Sequence, residues 1–164
     1  MKRAMSFFVA VGILLFSQLA LAEVEFQVGE FTVTLRGEVP DEGPADEQLA
    51  AAGFKVVPLQ AYTYSAAGAL RAWWQLEEDF YCQVPLSISG SGEYYVIFKI
   101  TDLKTGESDK IKFFNYGDDG FGYWTLGPLA VSDGPMPLPR KWKFTCIFKV
   151  GTIKKRVSTK IILY

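Results

Sequence analysis

Apolar and polar residues alternate most strictly between residues 141 and 163. Trp142, Phe144, Cys146, Phe148 and Val150 alternate with Lys141, Lys143, Thr145, Ile147 and Lys149, a period of two that predicts a strand with one buried face. Gly151-Thr152 follows, and glycine at the first central position suits a two-residue type II′ turn. Ile153, Val157, Ile161 and Leu163 then take the odd positions of a return strand, interrupted by Lys155 and Thr159. Such a turn pairs Val150 with Ile153, which sets Cys146 opposite Val157 and Trp142 opposite Ile161. The expected hairpin has an aromatic and aliphatic inner face that holds a cysteine, and a largely basic outer face.

The same period recurs upstream. Val24, Phe26 and Val28 form one alternating set and Phe31, Val33 and Leu35 another, with the parity flipping across Gly29-Glu30. One inserted residue does this, so a β-bulge or a strand that switches sheets is expected there. Residues 37–53 carry Pro, Gly and a cluster of acids and predict a loop, with one helical turn at 46–52. Residues 54–64 predict a strand broken by Pro58 and hence near a sheet edge. Residues 65–79 fit two patterns. Ala66, Leu70, Trp73 and Trp74 suit a helical face, while Leu70, Ala72, Trp74 and Leu76 keep a strand parity that Phe80, Cys82 and Val84 continue, which favours strand. Residues 94–100 are apolar on both faces and predict a central strand. A hairpin loop at 102–106, a return strand at 110–116, a glycine-rich turn at 115–122, a strand at 121–126 and a proline-rich connection at 134–139 complete the pass. Many short strands separated by turn signals predict an all-β antiparallel sandwich.

Residues 1–22 have the form of a signal peptide: Lys2 and Arg3, an apolar run over 7–15, and the small-x-small site Ala20-Leu21-Ala22. Cleavage leaves Glu23 rather than a lipid-modified cysteine, so the mature protein is expected to be periplasmic or secreted with no stable membrane anchor. Residues 23–164 then form one domain, large enough to bury about two-thirds of its unfolded surface without a metal. The chain has no histidine and two cysteines. That composition excludes His-based triads, His-ligated zinc and a four-cysteine zinc site. Glu77-Glu78-Asp79 supplies carboxylates, but glycoside hydrolysis needs a set separation across a cleft that a sequence does not show, and residues 115–120 lack the alternating oxygen ligands of an EF-hand. No catalytic, cofactor-binding or metal-binding residue is assigned, and the chain is expected to bind rather than react.

Cys82 shares parity with Phe80 and Val84, and Cys146 with Phe144 and Phe148, so both are expected to point into the core as an inter-sheet disulfide. Closing that loop would stabilise by about 4 kcal/mol in the chain-entropy account. The pair lacks the C-x-x-C spacing of redox-active thiols. Two cysteines on facing core strands among aromatics resemble an immunoglobulin-like β-sandwich. Leu138-Pro139-Arg140-Lys141-Trp142-Lys143-Phe144 is also similar to the start of the last hairpin in bacterial secreted immunoglobulin-like or fibronectin-like domains, with Arg140 where those often carry Gly. No Trp follows Cys82 closely, and Phe144 occupies the tyrosine-corner position, which sets the chain apart from antibody-type domains.

Charge is unevenly placed. Residues 140–164 contain eight Lys or Arg and no acid, while residues 23–139 contain seven basic residues and all eighteen acids. Hairpin register puts Lys149 beside Lys154 and Lys143 beside Lys160, with Arg156 on the same outward face. Like charges opposite one another weaken a sheet. Two accounts fit: acidic loops such as Asp118-Asp119 cover this face or lysines guard an edge, or the face meets an anionic cell-envelope polymer or protein. Nucleic acid is not expected in an exported, mildly acidic chain. A second reading is a carbohydrate-binding module that stacks glycans on Trp73 and Trp124 with neighbouring tyrosines. Trp73 and Trp74 would face opposite ways in a strand, leaving one of them exposed. A third is a secreted-enzyme inhibitor or a fibre subunit.

Overall fold

The computed structural model describes residues 23–37, 43, 52–132, 134 and 138–164. The proposed signal peptide, residues 46–51 of the expected helical turn and residues 135–137 of the connection lie outside the described residues. The described chain is all-β, with eleven strands: β1 (Glu23–Val28), β2 (Phe31–Arg36), β3 (Lys55–Pro58), β4 (Tyr62–Ser65), β5 (Trp73–Trp74), β6 (Phe80–Ser89), β7 (Gly92–Asp102), β8 (Ser108–Gly117), β9 (Gly120–Ser132), β10 (Arg140–Val150) and β11 (Ile153–Leu163). One sheet has the order β1-β2-β9-β6-β3, with β4 also on β6; the other has the order β5-β11-β10-β7-β8. Every pairing is antiparallel except the short parallel contact of β5 with β11.

The C-terminal hairpin has the register expected from its sequence, with Val150 opposite Ile153, Cys146 opposite Val157 and Trp142 opposite Ile161. Gly151 has φ 57°, whereas Thr152 keeps a negative φ, the signature of the type II′ turn. The parity flip at Gly29-Glu30 has a different origin from the one expected. It is a second two-residue turn, because β1 and β2 pair directly with Val28 opposite Phe31. A turn of this length puts residues three apart on the same face, so it flips apolar parity just as an inserted residue does.

Residues 65–79 are not one strand. Ser65 and Gly68 close a turn, Leu70 is exposed, and Glu77 takes φ 65°, which breaks the extended path. Only Trp73–Trp74 joins the second sheet, through Ile162 and Leu163. Trp74 is fully buried and Trp73 is 46% exposed, the opposed orientation that alternation demands. Pro58 ends β3, and β3 and β4 follow one another along the same edge of β6.

Between the sheets lies an aromatic core. The rings of Trp74, Phe80 and Phe144 form a parallel column, with centroids 4.8 Å and 6.0 Å apart and interplanar angles of 14° and 8°. Beside it Phe98 meets Phe144 edge-on at 5.3 Å, and Trp124 meets Phe148 edge-on at 6.0 Å. Phe31 of β2 abuts Trp142 of β10 at 5.3 Å. The core does not reach the tip of the last hairpin: Ile153 shares the inner face with Ile161 and Leu163 but is 56% exposed, whereas those two are buried. Truncation of Phe144 to alanine should therefore cost about 3–5 kcal/mol in urea unfolding, whereas Ile153→Ala should cost less than about 0.5 kcal/mol. Comparable losses would mean that the facing sheet covers the whole hairpin.

Candidate functional site

Alternation that sends Phe144, Cys146 and Phe148 inward sends Lys141, Lys143 and Lys149 outward from β10, and Lys154, Arg156 and Lys160 outward from β11. Lys149 stands opposite Lys154 and Lys143 opposite Lys160, while Arg156 faces Ile147. All five residues singled out from the sequence thus share one face, and Lys155 points to the other. The face is wider than the hairpin. On β7 and β8, Lys99 stands opposite Lys110, and Lys112 opposite Ile97, with the same outward sense. Six hairpin cations and three from β7 and β8 share the outer face of the second sheet, where Glu93 is the only outward acid on β7, β8, β10 and β11.

One corner of this face is already occupied. Tyr95 points outward but is only 6% exposed, with the Phe114 ring 5.3 Å away and Lys112 Nζ 4.0 Å over its own ring. The backbone of Gly43 rests on Phe114, so closely that a Cβ there would come within 2.8 Å of the ring. Lys112 and Lys149 each have an interaction partner within the chain. The available field is therefore Lys143, Lys154, Arg156 and Lys160, continued by Lys99, Lys110 and Lys141.

Asp118 and Asp119, the acids named as an example of a cover, are engaged elsewhere. Asp119 accepts from the Gly90 amide at 2.9 Å and Asp118 from the Ser91 hydroxyl at 3.2 Å. They tie the β8–β9 crossing to the β6–β7 crossing at one end of the sandwich. Ion pairs among the described residues join Arg36 to Glu23 and Asp79, Arg71 to Glu78, and Arg140 to Asp102. Lys143, Lys154, Arg156 and Lys160 have no acidic partner among the described residues. The Arg140–Asp102 pair is buried at 3.0 Å, and Asp102 also accepts from the Lys104 amide at 2.8 Å. It fixes the start of β10 against the end of β7, and so fixes the register that aligns the lysines.

The two tryptophans proposed as a sugar platform are not brought together. Trp124 is 5% exposed, because the even positions of β9 as far as Leu126 point inward; its ring packs on Phe98, Phe113 and Phe148. It forms part of the floor of a cleft of about 390 Å³ bordered by Tyr94, Asn115 and Tyr123. That burial removes Trp124 as an exposed stacking residue. Trp73 sits at the β5 edge with Tyr164 against it at 6.4 Å and the Arg71 guanidinium 4.7 Å over one face.

Cys82 on β6 and Cys146 on β10 face each other from opposite sheets, fully buried and 4.4 Å apart, as free thiols rather than the expected disulfide. Hydrogen bonding to Cys82, and then burial, hold the Cys146 thiol well above its ordinary 9.0, so it carries no reactive thiolate at neutral pH.

No family model and no curated protein sequence matches this chain. Its functional reading rests on its own residues.

Glu78 gives the loop that carries Trp73 a pH dependence. Burial alone would raise its carboxyl, but the Gln75 amide at 3.1 Å and the Arg71 guanidinium outweigh that and hold it below its ordinary 4.5. A depressed carboxylate stabilises the fold above its ordinary range, and that contribution is lost as pH falls through the depressed value. Urea unfolding of the wild type and Glu78→Gln should differ by about 0.5 kcal/mol near neutrality, with the gap closing on the acid side. A gap that does not change with pH would assign the effect to packing instead.

Proposed function

We propose that this chain is an exported, non-catalytic immunoglobulin-like module that binds an anionic cell-envelope polymer or protein through the outer face of its five-stranded sheet. The observation that carries the proposal is the register itself, which sets Lys143 against Lys160, Lys149 against Lys154 and Lys99 against Lys110 on one face with a single outward acid. Directly opposed like charges cost a sheet a few tenths of a kcal/mol or more per pair, about 0.2–1. Lys149 is engaged within the chain, so Lys143–Lys160 and Lys99–Lys110 are the pairs whose standing cost a bound polyanion relieves by neutralising both partners at once. A surface whose only task is solubility gains nothing from stacking like charges in register, since mixed signs serve solubility with less repulsion. Phosphate-bearing or uronate-bearing polymers fit the repeated lysine rows, and an acidic protein edge is the other member of the class.

The immunoglobulin-like part of the proposal is supported by strand order. A β3/β4–β6–β9 edge facing β11–β10–β7–β8 matches the sandwich in which strand B pairs with strand E, and strand F lies between strands G and C. The cysteines would then stand on the equivalents of strands B and F. Here β2, from the N-terminal hairpin, occupies the position beside β9 that strand D holds in that fold. In an oxidising compartment we take the Cys82–Cys146 pair to close, since the two already face each other across the core.

Two measurements test this. Wild-type protein should be retained on heparin and on lipopolysaccharide-coated beads at low ionic strength and released steeply as salt rises. The double reversal Lys154→Glu/Lys160→Glu should abolish retention while leaving stability equal or raised by about 0.5 kcal/mol, because each new acid stands opposite a lysine. Retention that survives the reversal would remove the basic face from the reading. The bridge predicts that protein exported to an oxidising compartment is lighter by the mass of two hydrogens than after reduction, and loses about 4 kcal/mol of stability on reduction. Equal masses would leave a pair of buried thiols.

A further inference from the structure

We propose that the outer face of the opposite, six-stranded sheet is a second binding surface, one that takes a neutral polysaccharide across Tyr62, Tyr64, Tyr81 and Tyr123. Outward positions of β4, β6 and β9 meet in one patch. Tyr64 stands opposite Tyr81, Tyr62 opposite Gln83, Gln83 opposite Thr125, and Pro85 opposite Tyr123. The Tyr64 and Tyr81 rings are stacked at 5.1 Å and 11°, and Tyr62 lies 6.3 Å from Tyr64, a step of the order of one pyranose ring. On the far side Tyr123 is 57% exposed and carries Phe121 edge-on at 5.4 Å.

A polar line crosses the patch between the rings. The Tyr62 hydroxyl donates to Gln83 Oε1, and Gln83 Nε2 donates to Thr125 Oγ1 at 2.8 Å. Aromatic faces beside amide and hydroxyl groups match what a sugar offers, which is an apolar C–H face ringed by groups that both donate and accept hydrogen bonds. Charge decides against other ligands. No Lys, Arg, Asp or Glu occupies an outward position of β4, of β6 from Tyr81 to Ser89, or of β9 from Phe121 to Thr125. A polyanion would find only Lys55, at the far end of β6 opposite Ser89, among the described outward residues of β3, β4 and β6, and the hydrophilic centre of the patch differs from the apolar core that protein interfaces build.

The patch is also fixed before any ligand arrives. Tyr81 lies against Gly127, where a Cβ would come within 2.6 Å of the ring, so the absence of a side chain at 127 makes room for the ring stacked on Tyr64. Partial burial first, and then the neighbouring Tyr123 and Tyr64, hold the Tyr62 phenol above its ordinary 10.0, so it remains a neutral donor. Side chains held on strands lose little freedom on binding.

Native gel electrophoresis through gels cast with hydroxyethylcellulose, arabinoxylan or galactomannan tests the proposal. The wild type should be retarded by at least one of these, equally at low and high salt, and equally in Lys154→Glu/Lys160→Glu. Tyr123→Ala and Phe121→Ala, both at exposed positions where folding is not at stake, should each weaken that retardation about fivefold to tenfold. Tyr64→Ala should do the same if its thermal midpoint holds. Absence of retardation in all three gels would overturn the proposal, as would equal retardation of Tyr123→Ala. So would a dimer that Tyr123→Ala converts to monomer, because the face would then belong to a second copy of the chain.

Discussion

The column of Trp74, Phe80 and Phe144 is the contact on which the rest of the sandwich depends. It joins three elements far apart in sequence: the two-residue strand β5, the central strand β6 of one sheet and the central strand β10 of the other. Fully buried rings of this size remove a large apolar area from water, and their parallel offset packing adds about 0.5–1.5 kcal/mol per pair beyond that area. The column also fixes orientation. With Phe80 and Phe144 locked ring to ring, Cys82 and Cys146, two residues further along each strand, must face one another. Trp74 inward, in turn, requires Trp73 outward. A slip of one residue in β6 or β10 would reverse every outward side chain, because the period of a strand is two.

That reversal is why the outer faces are so sharply different. β10 and β11 spend their inward positions on Phe, Trp, Ile and Leu and their outward positions on Lys and Arg; β4, β6 and β9 spend their outward positions on Tyr, Gln and Thr. The two faces lie back to back across one core, about 10 Å of side chains thick in sandwiches of this kind. The outward rows of β10 and β11 hold no aromatic residue, and those of β4, β6 and Phe121–Thr125 hold no charged one. A ligand suited to one has little reason to be held by the other, and their salt dependences are opposite in kind.

Much of this was legible in the chain, for a physical reason that also explains the misses. The 142–163 hairpin was legible because a two-residue turn leaves a single register, and that register alone aligned Lys143 with Lys160 and Lys149 with Lys154. The turn at Gly29-Glu30 was misread because a bulge and a two-residue turn leave the same parity signature, and only strand pairing separates them. Lys99, Lys110 and Lys112 do not stand out along the chain, because the sheet assembles their charge across strands through the 102–107 hairpin. Trp124 is a stacking candidate only on the density of aromatics around it. Its parity already argued otherwise: Phe121 and Tyr123 share the odd face and are exposed, and Trp124 and Leu126 share the even face and are buried. Residues 65–79 gave no usable period because their path is set by one buried tryptophan and by turns rather than by a repeating face.

The opposed lysine rows follow from that same geometry, and they constrain how such a face persists. Lys143 and Lys160, or Lys149 and Lys154, are not neighbours in sequence, so no local propensity brings them together; only the aromatic side of the hairpin does. Any exchange of one lysine of a row for an acid turns a repulsive pair into an attractive one and strengthens the sheet, if only modestly. Stability alone therefore pushes toward mixed signs on this face, and the Lys143–Lys160 and Lys99–Lys110 rows run against that push. Lys143 opposite Lys160 and Lys99 opposite Lys110, with no acidic partner among the described residues, are a local rule broken in a way that the proposed anionic partner would explain. The tyrosine patch on the opposite face breaks no such rule. Aromatics suit strands whether or not anything binds them, and its claim rests instead on the hydrogen-bonded line of Tyr62, Gln83 and Thr125 set among the rings.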